Sequence, residues 1–302
     1  MKKITIPIIM IVLLVLVYLN LDSIVYSLTY ILDNNQKLII EDANQYKRSY
    51  NFSYASMDND YIPYSYQDLL NIIYSCLNNG WDSFTFYCPE EYTDCMKDIK
   101  TISEDATLLT NINNYVNPFN SFSSIKTVYD NNTEITLIIN KLYTEDKINE
   151  INNQIDKIIN ENINNDMTLE DKIKTIHNYI INNTTYDVEK NNTGESIFDS
   201  NSAYGVLLQK YGICGGYADT MALFLDRLNI PNFKVASLSH VWNAVYLNNT
   251  WYHLDLTWDD PVSSDNTPHL IYNYFLISTA DLFSQDQENH NFDKTVYQEL
   301  AN

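Results

Sequence analysis

The spacing of apolar residues along the chain is typical of helices in some segments and of strands in others. After residue 214, Ala218, Met221 and Leu225 recur at intervals of three and four, which predicts a helix over residues 214–228. Further on, SHVWNAVYL and TWYHLDLTW alternate polar with aromatic and β-branched residues, as half-buried strands do. Together these patterns predict a mixed α+β fold.

The dipeptide Asn-Asn between those two strands predicts a hairpin with a tight turn. If the two asparagines form the loop, Leu247 pairs with Thr250 and His240 lies opposite Thr257. Asp255 is then a diagonal neighbour of His240 on the same face of the sheet, at roughly 7–8 Å between Cα atoms. A slip of one residue would put these two side chains on opposite faces. The register of the hairpin therefore tests their pairing.

The remaining patterns predict a first α+β unit and then the elements that flank residue 214. In the first unit we expect a helix around Leu69 and Cys76, a strand in WDSFTFYC, a helix in PEEYTDCMKDIKTI, a strand in TEITLIINKLYT and a long helix from Glu145. Helices over residues 169–182 and 202–208 follow. LIYNYFLIS is predicted to be a strand that completes an antiparallel sheet against the 214–228 helix. We expect the final residues, including His290, to form a surface tail.

Cys214 has surroundings that favour reactivity. It lies at the start of a predicted helix, where the helix dipole favours the thiolate and should lower the pKa of the thiol. Gly215 and Gly216 allow a sharp turn and the close approach of another molecule. The N–H groups in the first turn of a helix have no intrahelical acceptor and can donate to a developing oxyanion. With His240 and Asp255 following on neighbouring strands, Cys214 is a candidate nucleophile with a base and an orienting carboxylate.

Three segments resemble the transglutaminase-like superfamily of papain-like cysteine enzymes, and particularly its secreted or membrane-anchored bacterial branch. They are YGICGGYADTMALFLDRLNIP, SHVWNAVYLNNTWYHLDLTWDDP and NYFLIS. Such proteins carry Gly-x-Cys-x-Gly-Tyr-Ala at a helix start, a His-x-Trp-Asn strand and a Trp-Tyr-x-x-Asp-x-Thr-Trp-Asp-Asp-Pro strand, and all three patterns are present here. IHNYIINNTTYD is similar to the first helix of that family's core, so the resemblance covers about residues 165–285.

The resemblance implies a papain-like core, in which a cysteine-bearing helix packs on an antiparallel sheet. It implies Cys214 as nucleophile, His240 as general base and Asp255 as the residue that orients His240. The activity would be acyl transfer from an amide or peptide bond through a thioester, which ends in transamidation, deamidation or proteolysis. The candidate substrate-binding residues, from the resemblance and from glycine freedom, are Tyr186, Asp187, Gly215, Gly216 and Trp242.

Other residues compete for the same roles. A buried cysteine often acts only as a small hydrophobic residue. His253 lies on the same predicted face as Asp255, and Asp259 and Asp260 follow closely. His177 lies in an apolar helical stripe, which favours a packed histidine. An alternative function on the same fold is a non-catalytic module that binds peptides, and faster alkylation of the candidate cysteine than of the others would favour the enzyme.

The charge of the chain restricts its partners. The 302 residues include 18 basic and 39 acidic side chains, which gives a formal net charge of −21. Such a chain repels phosphate backbones, so we expect no nucleic-acid partner. We expect a protein or peptide substrate, such as a cell-surface or cell-wall peptide. Residues 63–165 contain no glycine-rich phosphate loop and no metal-ligand spacing, and we expect no metal and no cofactor.

The N-terminus is MKK followed by mostly apolar residues up to Leu19. As a helix this segment spans about 24 Å, slightly short of a ~30 Å hydrocarbon core, so it is either a signal anchor, which we favour, or a signal peptide. Lys2 and Lys3 favour a cytoplasmic N-terminus with the catalytic domain outside the cell membrane, and cleavage would give a secreted protein. The expected division is a signal segment at 1–20, a linker at 21–62, an α+β unit of unknown role at 63–165 and the catalytic domain at 166–302.

Three of the four cysteines lie in the first unit, and an extracellular location permits a disulfide. Cys88 precedes Pro89 at the end of a predicted strand, and Cys95 lies one to two turns into the next predicted helix. We therefore predict a Cys88–Cys95 disulfide, with Cys76 buried and reduced.

Overall fold

The computed structural model describes residues 42–130, 133–261 and 270–301, together with Tyr18 and Leu21. Asp42–Asn302 forms one compact unit, to which the following description applies. Apart from Tyr18, the predicted N-terminal signal segment lies outside the described residues. Among the residues that are described, no helix is long and apolar enough to cross a membrane.

The described residues form a mixed α+β fold, as the sequence predicts. The α-helices are α1 (Tyr66–Asn79), α2 (Cys95–Glu104), α3 (Ala106–Asn113), α4 (Glu145–Asn162), α5 (Leu169–Asn182), α6 (Val188–Thr193), α7 (Cys214–Arg227) and α8 (Thr279–Asp286). The strands are β1 (Ser83–Tyr87), β2 (Phe122–Tyr129), β3 (Glu134–Lys141), β4 (Thr185–Tyr186), β5 (Tyr211–Gly212), β6 (Asn232–Ala236), β7 (Val241–Leu247) and β8 (Thr250–Leu254).

Two antiparallel sheets organise the unit, in the strand orders β1-β3-β2 and β6-β7-β8, and β4 and β5 form a short parallel pair. Helix α7 packs against β6 and β7. The Asn243 side chain on β7 donates a hydrogen bond to the Ala218 carbonyl of α7 at 2.9 Å. Because β5 leads directly into α7, its pairing with β4 brings Tyr186 beside Gly212, two residues before Cys214.

The hairpin between β7 and β8 has the predicted turn. Asn248 and Asn249 have φ angles of 52° and 64°, in the left-handed region that asparagine tolerates and that the tightest hairpin turns require. Leu247 pairs with Thr250, which confirms the predicted register.

The same ladder is shorter than expected at its other end. Its last pair is Asn243 with Leu254, so the expected position of His240 opposite Thr257 is wrong. The strand ends there because the chain turns after Asp255, whose side chain accepts hydrogen bonds from the backbone N–H groups of Thr257 and Trp258.

Several other elements differ from the prediction. The helix in PEEYTDCMKDIKTI begins only at Cys95, because two successive turns precede it. The predicted 202–208 helix is present but is π-helical over Gly205–Gln209. The predicted LIYNYFLIS strand is wrong, and in the described residues it pairs with β8 only at a single bridge between His253 and Ile277. Its Tyr274 N–H is bound by an Asp259 carboxylate oxygen at 2.9 Å and is not available to a strand partner.

Buried apolar residues form two clusters. The first joins α1, β1 and β3 to β6, and the second joins α4, α5 and α7. Part of the expected linker belongs to the first, since Phe52, Ala55 and Tyr61 are buried in it. Arg48 is also buried and donates to the Asn232 carbonyl at 2.6 Å. Residues 42–62 thus pack onto the folded unit, which differs from a free linker, while the division into domains stays a prediction.

The predicted disulfide is confirmed. Cys88 and Cys95 are bonded, with their Cα atoms 5.7 Å apart. Cys76 is a free, buried cysteine, as expected, and burial raises the pKa of its thiol.

Candidate active site

Cys214 is the first residue of α7 and is partly exposed. The residue before it, Ile213, is extended, and its N–H donates to the Ser200 carbonyl at 2.8 Å. This contact ties the start of the helix to the segment that precedes the π-helical turn. The thiol therefore occupies the predicted position, in the first turn of a helix, where backbone N–H groups have no intrahelical acceptor.

His240 connects the cysteine to Asp255. Its Nε2 lies 2.5 Å from Asp255 Oδ2, and Cys214 is close enough to the ring to raise its pKa. Burial lowers the pKa of His240, but the Asp255 carboxylate and Cys214 outweigh burial and raise that pKa to about 10. At neutral pH the ring is an imidazolium held between a carboxylate and a sulfur.

Asp255 is held by four donors. Oδ1 accepts from the Thr257 and Trp258 N–H groups at 2.9 and 3.2 Å. Oδ2 faces Nε2 of His240 and, at 3.0 Å, Nε2 of His290. Burial raises the pKa of Asp255, but the two histidines outweigh burial and lower it. The carboxylate is consequently charged and fixed in orientation.

Residues 156–256 match the model of the Transglutaminase-like superfamily. This segment is similar to the core of that superfamily. It runs from within α4 to just beyond β8, so it contains Cys214, His240 and Asp255, whereas His290 lies beyond its end.

One solved structure is similar to part of this chain. A solved structure described as "Crystal structure of a TGase" is 18% identical in sequence, covers 45% of this chain and 44% of its own, and has a TM-score of 0.34. The match thus spans less than half of that protein. Comparison with curated proteins gives no match.

Trp242, one of the predicted substrate-binding residues, is only 1% exposed, so it has almost no surface available to a substrate. Its indole stacks on His240, with ring centroids 5.6 Å apart. Its Nε1 donates to Nδ1 of His253 at 2.9 Å, which leaves the proton of His253 on Nε2, beside the Thr279 hydroxyl. The structure thus places Trp242 as a support for the His240 ring.

The other histidines and acids considered for the same roles have hydrogen-bond partners other than Cys214, His240 and Asp255. His253 is buried between Trp242 and Thr279, and burial followed by the charge of His290 lowers its pKa to about 3. His177 is packed, as predicted, and its Nε2 lies 3.1 Å from Asp259 Oδ2. Asp260 accepts from the Tyr217 hydroxyl at 2.6 Å.

Tyr186 and Asp187 have different surroundings. Tyr186 is half-buried near the candidate site, and its pKa is raised to about 12 by burial and then by Cys214 and Asp255. Asp187 is buried and accepts hydrogen bonds from the hydroxyls of Ser196 and Ser200. Tyr186 therefore remains a candidate for substrate contact, whereas Asp187 holds the loop before the π-helical turn.

The two glycines after Cys214 differ in the space around them. A Cβ on Gly216 would overlap the Ser200 carbonyl oxygen, so this glycine allows α7 to approach that segment closely. A Cβ on Gly215 would lie 3.4 Å from the Asn201 carbonyl oxygen. Packing therefore accounts for Gly216, and Gly215 has more room.

His290 is the residue that the sequence did not reveal. The expectation of a surface tail is wrong at this position, because His290 is fully buried and contacts Asp255. Its neighbours, QENHNF, are mostly polar and have no helical or strand periodicity, so no local signal indicates burial. Only the return of the chain after α8 brings it to the site.

Proposed function

We propose that the transglutaminase-like core is a cysteine enzyme that transfers acyl groups from amide or peptide bonds. Cys214 is the nucleophile, His240 the general acid and base, and Asp255 the residue that orients His240. The observation that carries this proposal is the position of the His240 ring, whose Nε2 lies 2.5 Å from Asp255 Oδ2 and whose pKa is raised by both Asp255 and Cys214.

The chemistry follows from these positions. The Cys214 sulfur, as thiolate, attacks the carbonyl carbon, and the developing oxyanion is stabilised by N–H groups of the first turn of α7. His240 gives its proton to the leaving ammonia or amine, and the acyl group remains as a thioester on Cys214. An amine or water then attacks the thioester, and His240 takes up the proton of this second nucleophile. The outcome is transamidation with an amine, and deamidation or proteolysis with water.

The substrate we propose is a protein or peptide, such as a cell-surface or cell-wall peptide. The net charge of −21 opposes binding to nucleic acids. The N-terminal hydrophobic segment supports a protein that is anchored in the cell membrane or secreted, with the core outside the cell. The Cys88–Cys95 disulfide supports the same location, because such bonds persist in oxidising compartments.

The test supplies the full chain with glutamine-containing peptides, with and without a primary amine. Ammonia release, amine incorporation and backbone cleavage are followed separately. Cys214→Ala should abolish every channel in which the wild type is active. The matched control is Cys76→Ala, which removes the other free cysteine, buried in the first core cluster, and should retain activity. Equal activity of wild type and Cys214→Ala would reject Cys214 as nucleophile and favour the peptide-binding module.

A further inference from the structure

His290 is a buried titratable side chain to which the proposed chemistry gives no role. Its Nε2 lies 3.0 Å from Asp255 Oδ2, and its Nδ1 lies 3.0 Å from the Asp286 carbonyl oxygen. The Asp286 carboxylate lies 3.5 Å from the same Nδ1. Each ring nitrogen therefore faces oxygen atoms that accept hydrogen bonds.

A neutral imidazole has one N–H and one accepting nitrogen, so it would satisfy only one of these two contacts. An imidazolium satisfies both. Asp255 does not provide the missing proton, because its carboxylate already accepts from His240 and from two backbone N–H groups. Donation from both nitrogens of His290 would satisfy both contacts.

The surroundings of His290 also suit a cation. Asp286 is the last residue of α8, and the carbonyl groups at a helix C-terminus carry partial negative charge. The Tyr274 ring stacks on the imidazole, with centroids 5.3 Å apart and planes 19° apart. Stacking on an aromatic face stabilises a cation. The charged and titratable groups that face His290 are Asp255, Asp286, His240, His253 and Tyr274.

Those groups are not all charged at neutral pH. The pKa of His253 is lowered to about 3, and that of Tyr274 is raised, first by burial and then by nearby acids. Both are therefore neutral. His290 is left with two carboxylates and one helix carbonyl against a single cationic neighbour, His240.

The same side chains also bear on metal binding. Ligand atoms of His240, Asp255 and His290 lie within 4.8 Å of one another. The two nitrogens stand 2.5 and 3.0 Å from a single Asp255 oxygen, which are hydrogen-bond lengths. A metal such as zinc would instead stand between its ligands, at about 2 Å from each. A proton in each of the two contacts therefore fits these distances better than a metal ion.

We propose that His290 is a positioning residue for Cys214, His240 and Asp255. As an imidazolium it holds the Asp255 carboxylate in place and partly neutralises its negative charge, so that Asp255 attracts the His240 imidazolium less strongly. This inference rests on the proposed function of Cys214, His240 and Asp255. The His240 and His290 rings have their centroids 5.4 Å apart. At that distance and an effective dielectric constant near 20, one unit charge moves the pKa of another group by about two pH units.

The first test reads the ring of His290 directly in the full chain, labelled with ¹⁵N at histidine. The His290 signals are assigned by their loss in His290→Gln. Both ring nitrogens should show imidazolium shifts at neutral pH. A single neutral tautomer would overturn the proposal. This readout needs no enzyme activity, so it separates failure of this inference from failure of the proposed function.

The second test follows the titration of His240 between pH 7 and pH 12. His290→Gln keeps a donor but removes the charge, and His290→Phe keeps a ring but has no donor. In both variants the His240 midpoint should rise by one pH unit or more. The control, His177→Gln, breaks another buried histidine–aspartate contact and should leave the midpoint unchanged. An unchanged midpoint in both His290 variants would contradict charge sharing.

Kinetics separate positioning from bulk stability. His290→Phe should lower kcat about tenfold or more with little change in KM, because the Asp255 carboxylate loses one of its four donors. His290→Gln should retain most of kcat. Losses of kcat that are equal in His290→Phe and His177→Gln, and that follow thermal stability, would assign His290 a structural role only.

Discussion

At the residue scale, one carboxylate organises the candidate site. Asp255 follows the last residue of β8. It accepts hydrogen bonds from the turn that comes next, and one of its oxygens contacts two histidine rings. A carboxylate that accepts several hydrogen bonds stays ionised even when buried. The orientation and the protonation of His240 thus depend on the same residue.

Replacing Asp255 with asparagine tests this dependence. Asn keeps the volume of the side chain but loses the charge and can present an amide N–H to His240. By analogy with the aspartate of serine-protease triads, turnover should fall by about 10²–10⁴-fold. The measurement is kcat on the best glutamine peptide. Asp259→Asn, the same change at the carboxylate that contacts His177, is the control and should cost far less.

The pKa of His240 also predicts how stability depends on pH. Folding raises this pKa from 6.5 to about 10, so the folded state holds its proton more tightly than the unfolded state. The resulting stabilisation is complete below about pH 6.5 and is lost as the pH rises to about 10. Denaturant unfolding across this range should give a flatter dependence for His240→Gln than for wild type. Parallel curves would show that His240 contributes no such linkage.

At the element scale, the start of α7 is placed by close backbone packing. Ile213 bonds to the Ser200 carbonyl, and Gly216 allows the first helical turn to pass directly over the same group. The position of the Cys214 sulfur relative to His240 therefore depends on a residue that has no side chain.

The two glycines of this turn provide a matched pair of variants. Gly216→Ala should force the turn away from the Ser200 carbonyl, lower thermal stability and reduce Cys214-dependent activity by at least tenfold, since small displacements at a reacting atom are costly. Gly215→Ala, whose Cβ lies 3.4 Å from its nearest neighbour, should be far milder. Thermal unfolding and alkylation rates of Cys214 measure the two effects. Equal effects of both substitutions would contradict this packing role.

Elements with strong local signals were predictable from sequence. Helix α7 and the β7-β8 hairpin follow from helical spacing and from two asparagines that accept positive φ angles. Strand β2 and helix α3 were not predicted. LIYNYFLIS has the composition of a strand, yet a side-chain carboxylate binds its backbone, which is a tertiary contact without a local pattern.

At the scale of the whole folded unit, distant parts of the chain converge on the candidate site. The proposed catalytic residues Cys214, His240 and Asp255 could be selected from residue type and order, because a cysteine, a histidine and an aspartate stand at predictable ends of elements. The burial of Trp242 and the contact between His290 and Asp255 could not, since each depends on how α8 and the C-terminal residues return to the β6-β7-β8 sheet. Exposure of a side chain is decided by the fold and not by its neighbours in sequence.

The disulfide in the first core cluster should stabilise the whole unit. Cys88 and Cys95 are seven residues apart, and closing a loop of that length contributes about 2–3 kcal/mol on the chain-entropy model. Reduction with dithiothreitol should therefore lower Tm by several degrees. A Cys88→Ala/Cys95→Ala double variant should start at the lower Tm and be insensitive to reductant. An identical Tm for oxidised and reduced wild type would show that the bond adds no stability.

The central claim is that Cys214 carries the acyl group, and trapping that intermediate tests it most directly. The full chain is mixed with a glutamine peptide without amine, quenched in acid and analysed by intact mass and peptide mapping. We expect an adduct on Cys214 equal to the peptide less one ammonia, or to the acyl fragment if the backbone is cleaved. It should disappear on addition of a primary amine and be missing in Cys214→Ala. Turnover of the peptide with no adduct on Cys214, at an equal rate in Cys214→Ala, would show that Cys214 does not carry the acyl group.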